Sequence, residues 1–218
     1  MSIINPQISN KPIHINDFSS YAENYLSEEA PIYEIECYEE RIERGNFYSI
    51  ETKKSIFKNC IFHNCSFENA SFIDVIFECC DLSNSKFTGS YFERCQFVSC
   101  KCIGIDMSGS IVKQVSFESS NFQYSNFNKI KMTDVLFNNI NFSESSMSEA
   151  KLNRFEAAKS KFIKNNLFKT MLAAVDFTDN EFVAPTVSNP PIELKGAVIN
   201  TFQAVDLIGL WGVVVKQL

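Results

Sequence analysis

The stretch Ser66-Phe67-Glu68-Asn69-Ala70-Ser71-Phe72 places a Phe at every fifth position, each with a small residue two places before it. Stepping by five from Phe57 to Phe182 gives 26 slots, which hold 16 Phe, 4 Leu, 3 Met and Cys102, Val112 and Ala157. Sixteen of the 21 Phe therefore share one of five registers: Phe57, Phe62, Phe67, Phe72, Phe77, Phe87, Phe92, Phe97, Phe117, Phe122, Phe127, Phe137, Phe142, Phe162, Phe177 and Phe182. These are the expected core. Ile42 and Phe47 extend the register, and Thr52 does not fit it. Two places before each slot, 20 of 26 positions hold Ser, Cys, Ala, Val or Thr.

A period of five matches neither a helix face nor a strand. It suits a chain that turns a corner once per unit, with one large and one small residue pointing inward. Four such units close a 20-residue coil, and stacked coils hydrogen-bond at strand spacing, about 4.8 Å. The expected fold is all-β, a quadrilateral β-helix over residues 40–184. Residues 1–39 read as an N-terminal extension and cap, with one short helix near residues 19–28 after a Ser cap. Residues 185–218 read as a C-terminal cap with a short helix over 200–210 and a strand or extended tail. Phe155 and Ala157 exchange the large and small positions of one unit. Cys102 to Val112 lacks Phe, and a local irregularity such as a bend is expected there. Val183-Ala184-Pro185 is expected to end the register.

The pattern resembles the pentapeptide-repeat family, whose unit is A(D/N)LXX. That resemblance implies the right-handed sense of the helix. Two segments are similar to the Qnr-type, gyrase-protecting branch. One is Cys102-Ile103-Gly104-Ile105-Asp106-Met107. The other is Gly196-Ala197-Val198-Ile199-Asn200-Thr201-Phe202-Gln203-Ala204, continuing to Leu210-Trp211-Gly212-Val213-Val214-Val215. The resemblance implies a DNA-mimicking protein that binds DNA gyrase or topoisomerase IV and protects it from quinolones or a gyrase-targeting toxin. It also implies a homodimer joined at the C-terminus, where the sequence itself is strongly apolar. The expected interface is Leu207, Ile208, Leu210, Trp211, Val213, Val214 and Val215. The branch's projecting loops are absent, because no insertion interrupts the register. A structural or adaptor solenoid with an unrelated protein partner is the alternative.

Charge is unevenly spread. Residues 1–52 hold 10 acidic and 3 basic residues, whereas residues 53–182 hold 14 acidic and 15 basic. One face of the rod gathers Glu78, Glu118, Glu156, Asp176 and Asp179 against Lys58 and Lys159, and is the candidate acidic DNA-mimic face. The face centred on residues 72, 92, 112, 132 and 152 is net basic. A pI near 5.1, with aromatics turned inward, argues against direct nucleic-acid binding. No phosphate loop, nucleophile elbow or HExxH motif is present, so no enzyme, cofactor or metal site is expected. Eight cysteines and two histidines form no CxxC pair, and Cys60, Cys65, Cys80, Cys95 and Cys100 share the small inward position. The apolar runs are too short to span a membrane, and the N-terminus lacks a secretory pattern, so a cytoplasmic location is expected.

Overall fold

The computed structural model describes residues 3–216. Its strands are parallel and stack coil on coil, forming a four-sided β-helix of about nine turns. The main sheet runs through β1 (Ile13–Ile15), β2 (Ile35–Tyr38), β3 (Glu51–Lys58), β4 (Ser71–Glu78), β5 (Ile111–Glu118), β6 (Lys131–Asn138) and β7 (Lys151–Ala158). Short strands Tyr91–Glu93 and Gln96–Val98 bridge β4 to β5. Register advances by twenty residues per coil: Phe57 pairs with Phe77 and Phe117 with Phe137. Bridges on the other faces, such as Ile61 to Asp81 and Asn121 to Asn141, keep the same step.

The register is longer than the Phe pattern implies. Thr52, which breaks the pattern in sequence, pairs with Phe72 and is fully buried in the inward slot. Ile32 and Cys37 occupy earlier slots, paired with Thr52 and Phe57. At the other end Ile163 pairs with Val183 and Asn166 bridges Thr186, so the register passes Val183-Ala184-Pro185 rather than stopping there. Regular pairing thus reaches into both segments assigned to caps. At each end the step lengthens: Ile13 pairs with Ile35 and Asp176 bridges Val198, both 22 residues apart.

Two local rules explain the unit. The residue two places after each slot, Asp179 excepted, turns the corner in the left-handed region, with φ between +48° and +65° at its non-Gly examples beyond the first coils, from Asn59 to Ala184. That conformation is unfavourable for most L-residues and least so for Gly and Asn, so Asn59, Asn64, Asn69, Asn84, Gly89 and Gly104 gather there. At Gly89 and Gly104 a Cβ would lie 2.6 Å from Asn69 Oδ1 and Asn84 Oδ1 of the preceding coil. The second rule concerns the small inward residue. Ser85 Oγ donates to the Phe62 carbonyl at 2.6 Å, Ser90 Oγ to Phe67 at 2.7 Å and Cys80 Sγ to Phe57 at 3.2 Å. These residues are thus more than gap fillers. They satisfy corner carbonyls that would otherwise be buried without a partner.

All sixteen Phe of the register are buried. Phe57, Phe77, Phe97 and Phe117 stack in one column at 4.8–5.3 Å between ring centres. Each such ring contributes about 2–3 kcal/mol through burial. The Phe-free stretch does not bend the ladder. Cys102, Ile105, Met107 and Val112 are fully buried, and Lys101 and Asp106 keep bridges to Asn121 and Asn126.

The N-terminal cap is α1 (Phe18–Ser27), and its N-cap is Asp17 rather than a Ser: Asp17 Oδ1 accepts from Ser20 N at 3.0 Å. Phe18 plugs the first coil against Phe47, Phe57 and Phe62 at 5.1–5.8 Å. At the other end Asn200 and Gln203 form a capping box that starts α2 (Thr201–Leu207), followed by a 3-10 turn over Ile208–Trp211. Val213–Val215 lie outside any strand.

The eight cysteines are free thiols, and all but Cys79 are buried. Burial pushes the Cys95 thiol up to about 12. A thiol reagent on native protein is expected to titrate one fast group, Cys79, with the remainder reacting only in denaturant. A total well below eight without reductant would overturn the free-thiol assignment.

Candidate interaction surfaces

The acidic face is sparse. Glu78 and Glu118 lie in one column but two coils apart, because Val98 stands between them. Lys58 Nζ sits 2.9 Å from Glu78, and this hydrogen bond raises the lysine pKa. Asp176 accepts from Thr178 N and Oγ1 at 2.8 and 2.7 Å, which lowers its pKa. Glu156, Asp176 and Asp179 line one shallow hollow on this side of the rod. A duplex carries roughly one charge per 1.7 Å of axis. About nine turns at roughly 4.8 Å each give a rod on the order of 40 Å, which would need several times the five carboxylates of this face to match it.

The N-terminal residues are more than a cap. Ile4 N donates to Gln114 Oε1 at 2.9 Å, Gln7 N to Asp74 Oδ1 at 3.0 Å, and Gln96 Nε2 to Asn5 Oδ1 at 3.2 Å. This strap lies lengthwise over several coils, across the corner between the acidic and basic faces. Beneath it Arg94 holds Asp74 through two bonds of 2.8 Å. Sequence reading missed the strap, because its residues carry no repeat and its contacts span up to 110 positions.

The most perturbed carboxylate lies on a third face. Burial alone would raise Asp81, but hydrogen bonds from Ser83 and Lys101, with His63 Nε2 2.8 Å away, outweigh it and bring the group to about 2, from 3.8. The folded value is depressed, so this stabilisation is present above the unfolded value and lost as pH falls toward 2. Melting temperature is expected to fall over that window, and less so in Asp81→Asn. Identical acid profiles for the two proteins would refute the assignment.

The C-terminal end is the most apolar surface. Trp211 is 52% exposed, Val213 49%, Val214 83% and Val215 50%. Phe202, at 85%, and Val205, at 54%, join them; neither was among the expected interface residues, although their i, i+3 spacing on a helix was available as a signal. Leu207 is a correction. It is 2% exposed and belongs to the buried core against which Leu194, Ala197 and Ile199 pack, so it supports the cap from inside rather than facing outward. Ile208 and Leu210 are half-buried.

Residues 70–147 match the family model described as a pentapeptide repeat region. The chain has the pentapeptide-repeat fold. Among solved structures, a trypsin-treated variant of QnrB1, a plasmid-mediated fluoroquinolone resistance protein, aligns with a TM-score of 0.51 and 19% identity. That alignment covers 83% of this chain and 90% of the other. Full-length QnrB1 aligns at TM-score 0.41 and 16% identity, covering 84% and 98%. HetL, a pentapeptide repeat protein of heterocyst differentiation from the cyanobacterium Nostoc, aligns at TM-score 0.26 and 11% identity, covering 85% and 98%. No curated protein matches the chain. Among the described residues no helix is long and apolar enough to cross a membrane, and no group of three or more His, Cys, Asp or Glu is placed to hold a metal.

Proposed function

We propose that this protein is a non-catalytic, cytoplasmic binding rod. It pairs through its C-terminal end and engages a type II topoisomerase in place of DNA, shielding it from quinolones or a gyrase-directed toxin. The observation that carries the reading is the exposed apolar end, Phe202, Val205, Trp211 and Val213–Val215, on a rod of the same fold as QnrB1. A solvent-exposed patch of this kind marks a contact surface, and two rods joined there present a long, gently charged surface.

The low charge density favours a second reading, an adaptor solenoid for an unrelated protein. Purified protein titrated into a gyrase supercoiling assay, with and without a quinolone, separates the two. Inhibition or drug protection at micromolar protein supports topoisomerase binding. No effect on gyrase or topoisomerase IV rejects it in favour of the adaptor.

A further inference from the structure

Among the described residues the ladder opens along the whole forward edge of one strand. In regular coils the amide of each slot residue donates to a carbonyl nineteen residues ahead: Phe62 to Asp81 at 2.8 Å, Leu82 to Lys101 at 2.7 Å, Met147 to Asn166 at 2.8 Å. Turn amides do the same, as Asn64 does to Ser83. Among the described residues no such bond joins Leu152, Arg154 or Ala157 to the coil that follows. Lys159 N instead reaches Asp179 O at 3.0 Å, one residue out of step. β7 is therefore the last strand of the main sheet, with an open edge in the side of the rod.

The cause lies in the exchanged unit. Phe155 stands opposite Val135, where a small residue belongs, and Ala157 stands opposite Phe137. The Phe155 ring packs on Phe137 at 5.1 Å, and no strand of the following coil pairs with β7. The result is a cleft of about 550 Å3 between Leu152, Arg154 and Phe155 on one side and Met171, Ala173 and Val175 on the other. A second hollow of about 390 Å3 continues it past Ala157 to Asp176 and Asp179.

The same chain carries a segment suited to that edge. Val213-Val214-Val215-Lys216 is exposed, carries three successive β-branched residues and pairs with no strand. Every pairing in the molecule is parallel. A parallel strand on β7 would run toward the rim formed by Asp176 and Asp179. The valines would then face the apolar stretch at Leu152 and Phe155, and Lys216 would meet the carboxylates. The segment's own tail is not seated there. The start of α2 is tied to the rim of the second hollow, where Asn200 Nδ2 donates to Thr178 O at 3.1 Å.

We propose that the Val213–Lys216 tail of a second copy adds as a parallel strand to the open edge of β7. The inference rests on the dimer reading above and names what holds that dimer. Amide hydrogen exchange of the full chain, run alongside light scattering above and below the association concentration, tests it. Leu152, Arg154 and Ala157 amides are expected to exchange about tenfold more slowly in the dimer than in the dilute monomer. Val214→Pro, which removes a strand N–H from an exposed tail, is expected to abolish that difference. A dimer whose β7 amides exchange as fast as in the monomer overturns the strand addition and leaves the dimer standing. Protection that persists undiminished in the monomer assigns the edge to the chain's own tail and overturns the second copy as donor. A protein monomeric throughout, with unprotected amides, removes both readings.

Discussion

Phe92→Asp is expected to leave the chain unfolded at room temperature, by far-UV circular dichroism and by loss of a cooperative urea transition. Phe92 is fully buried, stacked on Phe72 at 5.2 Å and tilted against Phe87 and Phe97 at 5.8 Å each. Removing such a ring costs about 3–5 kcal/mol. A carboxylate put in its place finds no cation within the core, and an uncompensated buried charge adds several kcal/mol more. The sum consumes a large part of a typical stability of about 5–15 kcal/mol. Each coil rests only on its neighbours, so a lost layer in the middle separates the two halves of the ladder. Phe92→Leu keeps the apolar volume and is expected to cost less than about 1.5 kcal/mol. A Phe92→Asp protein with the wild-type urea midpoint would place residue 92 outside the core and void the register.

The register was legible because its physical cause is local. A corner every five residues imposes one large inward side chain per unit, and Phe57 to Phe182 records that directly. What the sequence concealed depends on contacts across coils. Thr52 looks foreign to the register until its pairing with Phe72 is seen. The Ser and Cys of the small slots look like space fillers until their bonds to carbonyls one coil away appear. The Phe155–Ala157 exchange conserves volume within its own unit, so sequence alone reads it as neutral. Its effect falls on the next coil, where the ladder opens. The candidate surfaces were legible in part. The apolar tail was evident, but the inward turn of Leu207 and the outward turn of Phe202 depend on how α2 lies on the final coil. The membership of the acidic face follows from the five-residue spacing, and the columns add that Val98 stands between Glu78 and Glu118 and that Lys58 lies against Glu78.

Changing Phe202 and Trp211 together to Glu is expected to give a folded monomer with no effect on gyrase. Both side chains project from the C-terminal end, 85% and 52% exposed, so the solenoid loses little by their replacement. Aromatic anchors at the centre of an interface contribute about 2 kcal/mol or more each. In a two-fold contact each substitution acts twice, and the new carboxylates of the two copies confront one another. Even half of the resulting loss, about 4 kcal/mol, weakens association roughly a thousandfold, which carries a micromolar dimer beyond working concentrations. Leu207→Glu should differ in kind. Its side chain is 2% exposed inside the cap, so that variant is expected to lower the melting temperature rather than only dissociate the dimer. Light scattering and thermal melts on the two variants separate an interface from a cap. If the proposed function depends on two rods meeting end to end, the monomeric double variant loses its effect on supercoiling while keeping the wild-type melting temperature. A wild-type protein that scatters as a monomer at micromolar concentration sinks the dimer. A monomeric double variant that still alters gyrase fully severs the dimer from the function and leaves a single rod as the binding unit.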